Sequence, residues 1–122
     1  MRWQKTAQVV IGAQFGDEGK GRLTDHYAAE MGNDAVVIRF NGGAQAGHTV
    51  VTPDGSRHVF SHVGSGALVG AATFLSRFFV SNPILFLKEM ESLAAKGVAP
   101  TIYVDPQSPV TTPYDMMINQ IV

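Results

Sequence analysis

Apolar residues run along this chain in short stretches broken by glycine, proline and polar clusters. Residues 8–12, with Val9-Val10-Ile11, predict a strand, and residues 35–40, Ala35 to Phe40, predict a second, buried one. A helix is expected over about 20–30 between them. Residues 49–52 and 57–63 alternate on either side of Pro53-Asp54-Gly55, which predicts a hairpin. Asn82-Pro83 opens a helix whose Leu85, Leu87, Met90, Leu93 and Ala94 approximate one face, and Gly97 closes it. Residues 101–105 predict a further strand. Thr112 as N-cap, Pro113 at N1 and Asp115 at N3 begin a last helix. On this pattern Lys88, Glu89 and Glu91 belong to a solvated helix face, and Phe74, Phe78 and Phe79 to core or to contacts hidden by further chain.

The alternation of strands and helices places the chain in the α/β class, with a mainly parallel sheet. Residues 1–122 show no repeat, low-complexity tract or linker, so they read as one unit without an internal boundary. A length of 122 residues suits a single core. The net charge of -1 offers no basic patch for nucleic acid, and the absence of cysteine removes disulfides and thiolate metal sites. No apolar run reaches the roughly 18 residues of a membrane span. Met1 to Thr6 is polar and charged at once, without the hydrophobic stretch of a secretory signal, so a cytoplasmic protein is expected.

Two glycine-rich loops carry the candidate chemistry. The first, Gly12-Ala13-Gln14-Phe15-Gly16-Asp17-Glu18-Gly19-Lys20-Gly21, follows the first predicted strand and has the character of a phosphate cradle. It is not a Walker A sequence, which would put Gly at Gln14 and Ser or Thr at Gly21. Its glycines still allow tight turns that aim backbone N–H groups at an anion, while Lys20 adds a point charge. Asp17 and Glu18 are unexpected there, since acids repel phosphate, and they point to chemistry beyond phosphate holding. The second loop, Asn41-Gly42-Gly43-Ala44-Gln45-Ala46-Gly47-His48-Thr49, follows the second predicted strand. The carboxyl ends of parallel strands share one sheet edge, so both loops are expected to meet over one ligand, with His48 near Asp17.

The segments GAQFGDEGKG at 12–21 and RFNGGAQAGHTVV at 39–51 closely resemble the amino-terminal part of the adenylosuccinate synthetase family. The likeness continues more loosely through Phe60 to Gly66, Asn82-Pro83, Lys88-Glu89-Met90 and Thr112 to Asp115. It implies a ligase of purine biosynthesis that forms a C–N bond between inosine monophosphate and L-aspartate, using GTP and Mg2+, on a fold with a phosphate loop like that of P-loop NTPases. It further implies a homodimer at full length. The catalytic set would be Asp17, His48 and Lys20. Asp17 matches the general base that takes the purine N1 proton and also a magnesium ligand; the Gly47 carbonyl matches a second metal contact. His48 matches the acid that stabilises the transferring phosphoryl group. Nucleotide contacts would come from Gly16, Asp17, Glu18, Gly19, Lys20, Gly21 and Arg22, and from Gln45, Ala46, Gly47, His48 and Thr49.

These roles are chemically coherent. A carboxylate beside Lys20 and a metal ion is expected to be ionised, and phosphoryl transfer rests on charge placed around a loose transition state. The family commonly has Asn at the position of Gln45 and Pro-Ser-Gly where Gly64-Ser65-Gly66 stands here. Residues 74–83 look more like the compact synthetases of some viruses and archaea. A viral-type enzyme acting on a guanine nucleotide to make the 2-aminoadenine precursor is therefore one alternative, although many such enzymes replace the aspartate that Asp17 retains. A non-catalytic nucleotide-binding module is another. Because relatives are several times longer and residues 116–122 read as the middle of a helix, the chain is expected to be the front of a longer protein and inactive alone. Its strand edges at Val36–Phe40 and Phe78–Val80 would then lack partners. His58 and His62 fall in an alternating strand with no cysteine or acid at ligand spacing, which argues against a metal site; the resemblance implies that His62 with Ser65 lines the nucleotide pocket, and a plain structural role is the equal alternative.

Overall fold

The computed structural model describes residues 5–122; Met1–Gln4 of the polar opening lie outside the described residues. In chain order the elements are helix α1 (Lys20–Met31), strands β1 (Val36–Arg39), β2 (Gly42–Gly43), β3 (His48–Val51), β4 (Arg57–Phe60), β5 (Ala72–Leu75) and β6 (Phe79–Val80), helix α2 (Pro83–Ala95), strand β7 (Ile102–Val104) and helix α3 (Pro113–Ile121). The architecture is α/β with a parallel sheet of order β1-β5-β7. Val36 lies opposite Ala72 and Arg39 opposite Leu75. Past a bend, the short parallel pair of β2 with β6 carries the same two chains onward. The bend is stitched by Ser76, whose N–H donates to the Arg39 carbonyl at 3.1 Å and whose hydroxyl donates to the Phe40 carbonyl at 2.7 Å. β3 and β4 form the expected antiparallel hairpin, with His48 opposite Phe60.

Local chemistry explains the helices. α1 starts after Gly19 and stops at Gly32, both at φ 71°, which glycine adopts without a Cβ penalty. Its buried residues are Gly21 and Ala28, two turns apart, so its inner face is narrow and lets the backbone approach β3. α2 is capped by Asn82, whose Oδ1 accepts from Leu85 N at 3.2 Å, with Pro83 in the first turn. α3 opens with a reciprocal cap: Thr112 Oγ1 accepts from Asp115 N, and the Asp115 carboxylate accepts from Thr112 N at 2.7 Å. No helix among the described residues is long and apolar enough to cross a membrane.

The main core gathers Val50, Phe60, Val63, Ala67 and Leu93, between the hairpin, the segment that follows it, and α2. A second cluster of small residues, Ala28, Ala35 and Ala71, joins α1 to the sheet.

Several expectations are corrected. Residues 8–12 form no strand, and Val9 and Ile11 stay 75% and 71% exposed. A run of consecutive apolar residues needs cover on both faces to sit in a sheet. α1 gives its inner face to β3 and the Ala67–Val69 turn instead. β1 is likewise a half-exposed strand rather than a buried one. β4 ends at Phe60, and the chain then turns through buried residues to β5, a strand the sequence reading did not assign. In α2 the buried positions are Glu89 and Leu93, while Leu87 is 62% exposed. Leu85, Glu89 and Leu93 are four apart and share a face, and Leu87 points away from it. Of the three phenylalanines, Phe79 is core, Phe74 half-buried and Phe78 exposed.

Leu93→Ala is expected to destabilise the fold by about 2–5 kcal/mol, the usual range for truncating a buried leucine. Leu87→Ala should stay within about 0.5 kcal/mol. Urea unfolding of both variants checks the assignment of the buried face; equal losses would contradict it.

Candidate functional site

Residues 16–21 and 46–49 line one cleft of about 360 Å³. The two glycine-rich loops therefore meet, as expected, and Asp17, Lys20, Gly47 and His48 share a single depression. Glu18, Ala46 and Thr49 line it too, whereas Arg22 and Gln45 do not. The meeting arises from the docking of α1 on the hairpin. Gly21 packs against His48 so closely that a Cβ added there would lie 2.7 Å from His48 Cβ. Glycine is thus required at 21 by the approach of helix to strand, not by its φ.

Inside the loop the charges are arranged differently from expectation. Glu18, not Asp17, pairs with Lys20, at 3.5 Å from Oε2 to Nζ. The other Glu18 oxygen accepts from Gln14 N at 2.5 Å. One carboxylate thus holds an amide and the ammonium of the cradle. Gly12 makes room for it, since a Cβ there would collide with the Glu18 carboxylate and the Lys20 ammonium. Asp17 accepts from Gly19 N at 3.3 Å, which ties it to the entrance of α1. Gly16 and Gly19 hold positive φ values of 88° and 71°, the turns that bring these groups round.

His48 is half-buried at the start of β3. Burial, then the charges of Arg39 and Lys20, push its pKa below the ordinary 6.5, so the imidazole is neutral at pH 7. Arg39 stacks over the Phe79 ring, 4.8 Å from guanidinium carbon to centroid. The sequence reading did not single out Arg39 as a neighbour of the site.

His58 and His62 are buried, and both face Glu89, at 3.8 and 3.4 Å. Among the described residues no three His, Cys, Asp or Glu side chains converge as a metal-binding group. Burial alone would raise the pKa of Glu89, but the His62 ring beside it and hydrogen bonds from the amides of His62 and Ser61 outweigh it and hold the carboxyl below its usual value. His58 is pushed down by burial and by Lys96, against the opposing pull of Glu89. Glu89 is a buried, hydrogen-bonded residue that the sequence reading placed on a solvated helix face; its spacing of four from Leu85 and Leu93 was the available signal.

The family model described as adenylosuccinate synthetase matches residues 9–122. The adenylosuccinate synthetase of Borrelia turicatae is 34% identical over 112 residues, covering 92% of this chain and 25% of that protein. That of Thermoplasma acidophilum is 40% identical over 115 residues, covering 94% and 25%. The structure is similar to fully ligated adenylosuccinate synthetase from Plasmodium falciparum, with a TM-score of 0.77 at 27% identity over 91% of this chain and 25% of that one. It is also similar to the succinoaminodeoxyadenylate synthetase of cyanophage S-2L bound to dGMP and dATP, with a TM-score of 0.72 at 21% identity over 88% and 30%, a likeness of fold alone. The chain spans about a quarter of the length of the curated relatives it matches.

Two outcomes follow from the charges described. Since Glu18 occupies donors that an anion in the cleft would need, Glu18→Gln is expected to tighten binding of inorganic triphosphate by up to about tenfold, equivalent to about 1.4 kcal/mol; calorimetric titration showing equal or weaker binding would contradict this. The pKa values of His48 and His58 lie below the ordinary 6.5 in the folded chain, so the unfolded chain takes up protons first as pH falls and stability declines as pH drops through that value. Glu89, with its depressed pKa, contributes stability present above the ordinary 4.5 and lost as pH falls through the lower folded value. Urea midpoints between pH 8 and pH 3 should therefore decline in two stages, and a flat profile above pH 5 would refute the histidine part.

Proposed function

Because the chain belongs to the adenylosuccinate synthetase family, we propose that its residues supply the phosphate-holding and phosphoryl-transfer part of a C–N ligase that joins inosine monophosphate to L-aspartate. GTP is the co-substrate, and the products are adenylosuccinate, GDP and phosphate. The observation that carries this reading is the single cleft in which a carboxylate, a lysine, an imidazole and turned glycine amides converge from the two loops. A loop that only held phosphate would need neither a base nor an acid.

In this reading the amides of Gly16 to Gly21 and the Lys20 ammonium hold the triphosphate, and Glu18 gives way to it. Asp17, as general base, accepts the N1 proton of the purine so that O6 attacks the γ-phosphorus. His48 stands at the wall of the cleft as the acid that stabilises the transferring group. Burial and the neighbouring cations Arg39 and Lys20 favour its neutral form. Phosphate charge in the cleft opposes the repulsion from those cations and favours the proton that the role requires.

Magnesium fits the donors present. The Asp17 carboxylate and the Gly47 carbonyl are hard oxygen donors lining one cleft, and an ion that keeps waters and phosphate oxygens needs few protein ligands. When bound, it would neutralise charge on the phosphates. Gln45, Thr49 and Ala46 complete the proposed nucleotide contacts, together with Arg22. The groups that grip aspartate and the bases are proposed to lie in segments of the longer relatives without counterpart in these residues. The working form is proposed to be a cytoplasmic homodimer.

The test separates binding from chemistry. Lys20→Ala should weaken binding of magnesium GTP by about 10- to 100-fold, the scale of a lost charge-assisted contact of about 1.5–3 kcal/mol. In a chain of the relatives' full length carrying these residues, Asp17→Ala should abolish adenylosuccinate formation while metal-free GTP still binds. Product formation that survives Asp17→Ala would sink the assignment of the base. Binding by the wild type with no product in that context would identify a nucleotide-binding module instead.

A further inference from the structure

Helix α2 carries a carboxylate on its inner face, where its neighbours at the same spacing are leucines. Glu89 is 6% exposed and accepts from three consecutive amides, Ser61, His62 and Val63, at 3.0, 2.7 and 3.3 Å. The Ser61 hydroxyl adds a fourth donor at 3.2 Å. Successive amides curled round an anion form a concavity that proteins ordinarily offer to a ligand. Here the anion belongs to the protein.

His62 closes a ring with it. Its Nε2 accepts from Asn82 N at 2.9 Å, so that nitrogen is unprotonated and the neutral ring carries its proton on Nδ1. Nδ1 lies 3.4 Å from Glu89 Oε2, close enough for electrostatic contact but outside hydrogen-bond geometry. Asn82 is itself the N-cap of α2. The ring therefore runs from the cap of α2 through His62 to Glu89 two turns along the same helix, and it clamps the residues that leave β4. The last residue of β4, Phe60, lies opposite His48. The Phe79 ring, 5.7 Å from that of His62, also carries Arg39, whose charge acts on His48.

We propose that Glu89 is a positioning residue for the cleft: by holding the amides of residues 61–63, with the His62 ring packed beside its carboxylate, it fixes the end of β4 and so the place of His48. The proposal depends on the nucleotide reading only for what the cleft holds; the geometry it asserts can be tested without any ligand.

Long-range proton–nitrogen correlation spectra of the wild-type chain should show His62 protonated on Nδ1 with a bare Nε2; protonation on Nε2 overturns the ring. In Glu89→Gln, which keeps the size but replaces one acceptor oxygen with a donor, amide exchange at residues 61–63 should quicken by about a hundredfold. The backbone resonances of His48 and Thr49 should move with it, while the amide of Leu93 keeps its protection. Glu91→Gln, on the exposed face, should change none of these. If all protected amides quicken alike, or if His48 and Thr49 stay in place while residues 61–63 loosen, Glu89 is only structural and the proposal falls. Should the Gln variant not fold, Glu89→Asp carries the same readouts with the charge retained and the reach shortened by one methylene.

Discussion

Buried backbone donors that have left a strand must find acceptors, and in this chain that constraint falls on residues 61–66. β4 ends at Phe60, yet residues 62–67 remain buried. Each unpaired buried amide would cost about 1–3 kcal/mol. Glu89 receives three of them, and Thr73 Oγ1 receives Gly64 N at 2.8 Å. Glu89 comes from 26 to 28 positions away and Thr73 from the next strand, nine positions on. The same segment has no room for side chains at its glycines. Gly64 lies against Val37 and Thr73, and Gly66 against Ala28 and Ala71. It thus threads between α1, β1 and β5 and joins the main core to the cluster of alanines.

The cleft inherits its shape from this arrangement. The usual account for α/β sheets would place both loops at the carboxyl edge of neighbouring strands. Only the second loop fits that account here, since residues 8–12 pair with no strand. The first loop is brought in by α1, whose Gly21 and Ala28 form a smooth face against the hairpin and the Ala67–Val69 turn. Helix docking onto small residues replaces strand adjacency as the cause of the meeting. A larger residue at 21 would separate Asp17 and Lys20 from His48 without touching any of them chemically.

What was legible in the sequence is what depends on neighbours along the chain. The caps at Asn82 and Thr112, the hairpin turn at Gly55 and the limits of α1 and α2 all rest on contacts within a few residues. The two motif loops were legible as well, and so was their convergence. Pairing partners were not: β5 is central because two parallel strands flank it, which no local pattern states. Glu89 was misread for the same reason. A charged residue between Leu85 and Leu93 has a buried spacing, but only the amides of residues 61–63, 26 to 28 positions away, make burial affordable. Lys20 was expected beside Asp17, and a choice between adjacent acids is set by how the loop turns at Gly16 and Gly19.

That choice bears on why a phosphate cradle contains acids at all. An exposed loop with two glycines at positive φ loses more backbone freedom on ordering than most sequences would. Its Gln14 N–H and its lysine also need an acceptor. Glu18 supplies one, reaching both Gln14 N and Lys20 with its side chain only 18% exposed. Glu18 therefore ties the two ends of the glycine-rich loop together around its own negative charge. Asp17, freed from the lysine and tied only to Gly19 N at the mouth of α1, faces the same cleft as His48. The two adjacent acids are thus held differently: Glu18 is bound to Gln14 N and Lys20, while Asp17 is bound to Gly19 N at the start of α1.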